Sequence, residues 1–192
     1  MIIILFYILR HSQCICKQII NTQNFLNSLI KLTKFKFNNG TNKEEDNQSL
    51  QIRNESIECL RSIHRWGDEQ AQVELVTNGY PRVLVNIINT AGGIEQEQDE
   101  GIDLGLENIF RFIFEILKGR KTDPSFPPLP DLFKSCLEQI VDEGGNEEIE
   151  AILVTIGEGP GQYIQYQANC AKGSLLNIFV DNSNPKSRWY NW

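Results

Sequence analysis

The sequence predicts an all-α protein, folded as a solenoid of about three to four stacked helical repeats. Apolar residues recur at the spacing of an amphipathic helix through most of the chain, and no window of five or more residues alternates as a half-buried strand does. Two apolar blocks, residues 82–88 and 173–179, share nearly the same residues 91 positions apart. Helix pairs that recur along a chain, and that cannot bury their apolar faces alone, are typical of solenoids.

Composition narrows the class of protein. A chain of 192 residues, of which 41% are hydrophobic, is long enough and apolar enough to fold around a core. The net charge of −7 leaves no excess of basic side chains to neutralise phosphates, so we predict no nucleic-acid partner. Five cysteines, an odd number spread over predicted helices, indicate reduced thiols and a cytoplasmic location.

A change in the sign of charge divides the chain. Residues 1–43 hold six basic residues and no acid, whereas residues 44–192 hold 12 basic and 25 acidic residues. The polar stretch between them predicts a linker at residues 38–48, after a basic, apolar and helical N-terminal segment at 1–37. The repeats are predicted at residues 49–182, and a short aromatic tail follows at 183–192.

The first residues, "MIIILFYILR", are apolar but fit no simple targeting signal. No basic stretch precedes the apolar run, as a secretory signal requires, and the run is too short to span a bilayer. One interpretation is a first helix that packs on the repeats. The alternative is a mitochondrial targeting segment that contacts a membrane, in which case the chain is a subunit of an organelle complex.

Four apolar stripes at helical spacing define the predicted helices of the repeat region. The turns at Asn78-Gly79 and Gly144-Gly145 lie where helix ends favour a left-handed backbone. Four prolines between Asp123 and Asp131 forbid helix before Asp131. The stripes are Ile57, Leu60 and Ile63; Leu106, Ile109, Phe110, Ile113 and Leu117; Leu132, Phe133, Cys136, Leu137, Ile140 and Val141; and Ile149, Ile152, Leu153 and Ile156.

Over residues 50–180 the sequence resembles armadillo repeats. "GYPRVLVNII", from Gly79 onward, is similar to the glycine and following helix of the armadillo unit, with the proline one position early. "ESIECLRSIHRWGDEQAQVEL" resembles the preceding helix and turn, and "EEIEAILVTIGEGPGQYIQYQANC" a later unit. The resemblance implies a protein-binding scaffold or adaptor, or a subunit of a larger assembly.

An importin-α-like transport adaptor is the alternative within this family. Importin-α binds basic peptides through tryptophan and asparagine pairs on its groove-facing helices. The matching places here hold Glu58 and Ser62, and Ala151 and Thr155, so binding of nuclear signals does not carry over. The acidic charge of residues 44–192 still attracts a basic segment of a partner through its long-range field.

The predicted partner-binding residues lie on the polar faces of two helices and in the tail. Helix 55–65 presents three charged residues opposite its apolar stripe, and helix 147–156 presents the corresponding positions. Aromatic and arginine side chains in the tail are typical interface anchors, although a tail that folds back to cap the last repeat is the simpler alternative. The predicted residues are Glu58, Arg61, Arg65, Glu148, Thr155, Trp189, Tyr190 and Trp192.

No motif in the sequence supports catalysis. No serine or cysteine lies in a recognisable nucleophile motif. His11, Cys14 and Cys16 are metal-type ligands, but they lack a fourth partner at typical spacing. We therefore predict no enzymatic activity, no metal, no cofactor and no small-molecule substrate.

Overall fold

The computed structural model describes Thr22 and residues 24–36, 43–89, 97–155 and 162–176. Within these ranges the only β feature is an isolated bridge between Arg120 and Phe126, so the all-α class is confirmed for the described part of the chain. The helices are α1 (Phe25–Leu32), α2 (Lys43–Trp66), α3 (Glu69–Thr77), α4 (Tyr80–Asn89), α5 (Glu97–Lys118), α6 (Pro130–Asp142), α7 (Gly145–Thr155) and α8 (Gln162–Leu176).

Helix α2 begins inside the predicted linker. Residues 43–48 form its first turns, and acidic side chains lie there because the positive end of a helix dipole stabilises them. Residues 38–42, most of the N-terminal segment (1–21) and the predicted tail at 183–192 lie outside the described residues. None of the described helices is both long and apolar enough to cross a membrane.

Hairpins α3–α4 and α6–α7 turn through the same backbone conformation. Gly79 (φ 92°) and Gly144 (φ 79°) both adopt the left-handed region, which costs glycine little because it has no Cβ. In each turn the residue before the glycine donates its amide to the carbonyl four residues back, and the glycine donates to the carbonyl three residues back. The four bonds run from Asn78 to Glu74, Gly79 to Val76, Glu143 to Gln139 and Gly144 to Val141. Each position of the first turn therefore has an equivalent 65 residues later.

This structural repeat differs from the one that the two apolar blocks predict. Block 82–88 lies in α4, which follows a glycine turn. Cys170, which lies 91 residues after Gly79, is by contrast buried inside α8, which runs unbroken from Gln162 to Leu176. The prediction that 82–88 and 173–179 are equivalent is therefore wrong. The two blocks look alike because every buried helix face repeats apolar residues at the same period.

Helices three places apart in the chain pack against each other. Helix α3 contacts α6, α4 contacts α7, and α5 contacts α8 in the most extensive helix pair of the described structure. Helix α1 packs along α2. Helices α6 to α8 thus lie on helices α3 to α5 in the same order.

Helix α5 is the centre of the core, because it packs on α4, α6 and α8. A helix that is apolar on nearly every side must be covered on several sides, and these three neighbours provide that cover. Of the three phenylalanines of α5, Phe112 is fully buried and Phe110 is partly buried, whereas 41% of the surface of Phe114 is exposed. The fully buried side chains of α5 are Leu106, Ile109, Phe112, Ile113 and Ile116.

The described cysteines are free thiols buried in helices α2, α6 and α8. Cys136, which belongs to a predicted apolar stripe, is fully buried and packs as a small core residue. Burial raises the pKa of Cys136 above its usual range. Burial also raises the pKa of Cys59 to about 12, with smaller contributions from Glu55 and Glu58. Both thiols are therefore protonated and poorly nucleophilic at neutral pH.

Candidate functional site

Three of the predicted binding residues share one face of α2, on the side opposite its buried residues Leu60 and Ile63. Arg61 Nη1 donates a hydrogen bond to Glu58 Oε1 at 3.1 Å, and both side chains are about one-third exposed. Arg65 is exposed, with its guanidinium carbon 5.4 Å from the centroid of the Trp66 ring. The face therefore presents both signs of charge at spacings of three and four residues.

Glu148, a predicted residue of α7, does not join this face. Helix α7 packs on α4, α6 and α8, whereas α2 packs on α1 and α3. With its amide oriented to donate, Asn89 of α4 places its nitrogen 2.9 and 3.0 Å from the two carboxylate oxygens of Glu148. Glu148 is thus a helix-packing residue rather than part of a common binding face with α2. The reason is that α7 follows the same turn as α4 and occupies the equivalent place in the stack.

The remaining predicted binding residues fall outside the described side chains. Thr155 is the last residue of α7, and its side chain is not described. Trp189, Tyr190 and Trp192 lie outside the described residues altogether.

Helix α5 presents an exposed aromatic and charged face that sequence reasoning missed. The rings of Phe110 and Phe114, one turn apart, lie 5.8 Å from each other at an angle of 38°. Beside them Arg111 Nη2 donates to Glu107 Oε1 at 2.7 Å. Phe110, which the sequence places in an apolar stripe, is partly buried against the core, whereas Phe114 is 41% exposed, because periodicity alone does not reveal which side of an apolar helix remains uncovered.

A buried arginine joins α5 to the end of α2. Arg120 Nη2 donates to the carbonyl of His64 at 2.7 Å, and Nη1 donates to the carbonyl of Gly67 at 3.0 Å. These bonds satisfy carbonyls at the end of α2 that have no partner within the helix. Glu115 accepts from both Nε and Nη2 of the same guanidinium, which also lies over the Phe126 ring. The arginine thereby sets the position of the α2 face relative to the α5 face.

Gln72 of α3 completes this buried junction. Its Nε2 donates to the carbonyls of His64 and Gly67 at 3.0 and 3.1 Å. Its Oε1 lies 3.0 Å from His64 Nδ1. Because the amide nitrogen is occupied as a donor, Oε1 must accept here, and we assign the proton of the neutral imidazole to Nδ1.

Burial lowers the pKa of His64 to about 4, because the charged imidazolium loses its hydration there. Glu115 and Gln72 act in the opposite direction, and the Arg120 charge lowers the pKa further. His64 Nε2 lies 3.8 Å from Glu115 Oε2, but the imidazole is neutral at physiological pH, so this approach is not an ion pair.

Lowering the pH from 7 to 5 is expected to reduce the free energy of unfolding by about 2 kcal/mol through His64 alone. The pKa of this histidine is near its usual 6.5 in the unfolded chain and about 4 in the folded one. Its contribution to stability is therefore complete above pH 6.5 and is lost as the pH falls towards 4. Urea unfolding followed by circular dichroism at pH 7, 6 and 5 measures the change.

The control for this pH dependence is His64→Asn. Asparagine keeps an N–H donor for Gln72 but does not titrate, so the variant should lose most of the slope between pH 7 and 5. The chain has one other histidine, His11. An unchanged slope in the variant would show that a different group, and not His64, senses the pH.

The junction of His64, Gln72 and Arg120 holds helices together, and its side chains are not placed to react with a ligand. His64 is buried, and its edge packs on Phe112 with ring centroids 4.9 Å apart. Among the described residues, no group of three or more histidine, cysteine or acidic side chains is arranged to hold a metal ion. The junction holds the exposed faces of α2 and α5 in place.

Comparison of the chain with known proteins identifies no similar protein. No family model, no curated protein and no solved structure matches the chain.

Proposed function

We propose that this protein is a protein-binding scaffold or adaptor, built as a short armadillo-like stack and acting in the cytoplasm. The proposal is supported by the three-helix period, in which α3, α4 and α5 are followed by α6, α7 and α8 packed in the same order. Stacks of this kind expose extended surfaces that bind other chains. The buried free thiols agree with a reducing compartment.

The proposed partner surface consists of the exposed faces of α2 and α5. We choose the face of α5 because exposed Phe114 lies beside exposed Arg111. Aromatic and arginine side chains are enriched in protein interfaces. On α2 the corresponding residues are Glu58, Arg61 and Arg65. The junction around Arg120 connects the two helices, so a partner that contacts one face meets the other at a defined spacing.

Charge suggests the kind of partner that this surface attracts. Residues 44–192 carry 25 acidic and 12 basic residues, so the long-range field favours a basic segment. At short range the ion pairs Glu58–Arg61 and Glu107–Arg111 offer both signs of charge. The partner we propose is therefore a protein segment of mixed charge with a basic excess and at least one apolar anchor for Phe114.

Replacing both Arg61 and Arg65 by alanine is expected to weaken partner binding about tenfold or more while the protein remains folded. Both side chains lie at the surface, and an exposed ion pair such as Arg61–Glu58 contributes less than about 1 kcal/mol to stability. The partner is first identified by affinity capture from native extract, and its affinity for wild type and variant is then measured by titration calorimetry.

Lys134→Ala, a change at an exposed position of α6, is the matched control and should leave the affinity unchanged. A double variant that binds its partner as wild type does would remove the α2 face from the proposal. A double variant that unfolds would show that the two arginines are packed.

A further inference from the structure

One stripe of α4 receives the α6–α7 hairpin. Arg82 forms an ion pair with Asp142 at 3.5 Å, and Asn86 Nδ2 donates to Glu143 Oε1 at 2.9 Å. A Cβ atom at Gly145 would come within 3.0 Å of Val85 Cγ2, so the backbone of α7 lies directly on Val85. The fourth contact is the one between Asn89 and Glu148.

The equivalent stripe of α7 is exposed. The turn at Gly79 is repeated 65 residues later at Gly144. The residues that lie 65 positions after the four contact residues of α4 are four exposed residues of α7. We call these four residues the end stripe. They are Glu147, Glu150, Ala151 and Val154, the equivalents of Arg82, Val85, Asn86 and Asn89.

Exposure of apolar side chains distinguishes the last three helices from the earlier ones. Val154, the last residue of the end stripe, is 81% exposed. Val141 of α6 is 53% exposed, whereas its equivalent in α3, Val76, is 1% exposed because α6 covers it. Among the described residues, five of the seven large hydrophobic side chains classed as exposed lie on α6 to α8. The end stripe is thus a packing surface of the repeat that the described helices leave exposed, apart from the contact of Lys172 with Glu150 at its edge.

The chain leaves α8 next to the end stripe. Lys172 of α8 forms an ion pair with Glu150, and α8 ends four residues later at Leu176, about 6 Å further along the helix. Residues 177–192 follow. Sixteen residues can span up to about 50 Å when extended, which is several times the length of α7. Because this segment is tethered at the stripe, its effective concentration there is high.

Residues 177–192 also complement the end stripe chemically. The segment carries the basic residues Lys186 and Arg188 and a single acid, Asp181, while the stripe carries Glu147 and Glu150. The segment holds aromatic rings that can cover Val154 and Ala151. The aromatic residues of the segment are Phe179, Trp189, Tyr190 and Trp192, and the last three lie next to the basic residues.

We propose that residues 177–192 bind the end stripe of their own chain and cap the stack. The aromatic side chains cover Val154 and Ala151, and Lys186 and Arg188 lie against the acidic residues of the stripe. The last described repeat needs such a cover, because its packing surface otherwise remains in water. The inference goes beyond the proposed function and does not depend on the partner surface of α2 and α5.

Chymotrypsin, which cleaves after tryptophan and tyrosine, tests the proposal on the full chain. The bonds after Trp189 and Tyr190 should be cleaved at least about tenfold more slowly in the native protein than in a synthetic peptide of residues 177–192. Fragments are assigned by intact mass from the first cleavage events. In Val154→Arg, which removes the most exposed apolar side chain of the stripe and repels the basic residues, cleavage should approach the rate of the peptide.

Leu50→Arg is the matched control, because it places the same charge at an exposed apolar position of α2 and should leave the protection unchanged. Both variants alter exposed side chains and should keep the thermal transition of the wild type. Equal cleavage rates in wild type, Val154→Arg and the peptide would overturn the proposal. Protection that rises with protein concentration, together with a dimer in sedimentation, would assign the stripe to a second copy and overturn it as well.

Discussion

Arg120→Ala is expected to lower the free energy of unfolding by about 3–5 kcal/mol, enough to unfold a marginal domain. The guanidinium is buried and donates to the carbonyls of His64 and Gly67 and to the carboxylate of Glu115. Its removal leaves the two carbonyls with Gln72 Nε2 as their shared donor and leaves a carboxylate without its counter-charge. Urea unfolding at pH 7 measures the loss.

Arg111→Ala is the matched control, nine residues earlier in the chain. Arg111 is exposed and pairs with Glu107 one turn away, so its loss should cost less than about 1 kcal/mol. Arg120→Lys should fall between the two variants, because lysine restores the charge but not the planar fork that bonds two carbonyls and a carboxylate. Similar stabilities for Arg120→Ala and Arg111→Ala would show that the junction does not hold α2 to α5.

Phe112→Ala is expected to cost about 3–5 kcal/mol, because the site cannot collapse around the missing ring. Phe112 is fully buried and packs edge to face on His64 and Tyr80, with ring centroids 4.9 and 5.1 Å away. The side chain therefore joins α5 to both α2 and α4. Thermal and urea unfolding of the variant give the cost.

Phe114→Ala, two residues further along the same helix, should behave in the opposite way. Its ring is 41% exposed, so we expect a loss of stability of less than about 1 kcal/mol. Because Phe114 belongs to the proposed partner surface, the same variant should lose affinity for the partner. A variant that is as unstable as Phe112→Ala, or that binds its partner unchanged, would contradict the assignment of this face.

The sequence by itself determined the helices, because their causes are local. The left-handed turns at Gly79 and Gly144 follow from the freedom of glycine, and both lie where the sequence predicts helix ends. Prolines forbid helix before Asp131, and α6 begins one residue earlier, at Pro130. The burial of Cys136 follows from its place in an apolar stripe.

Only the tertiary structure decided which faces are covered and which remain open. Arg120 lies in a short basic stretch, "GRK", which is typical of a solvated loop. It is nevertheless buried, because its guanidinium donates hydrogen bonds to the carbonyls of Gly67 and His64, which are 53 and 56 residues away in the sequence. Glu148 has the sequence signature of a surface acid, but α7 repeats the place of α4 in the stack and turns this residue towards Asn89. Periodicity shows which residues share a helix face, whereas burial depends on the neighbouring helix, and that neighbour is set by contacts between residues distant in the sequence.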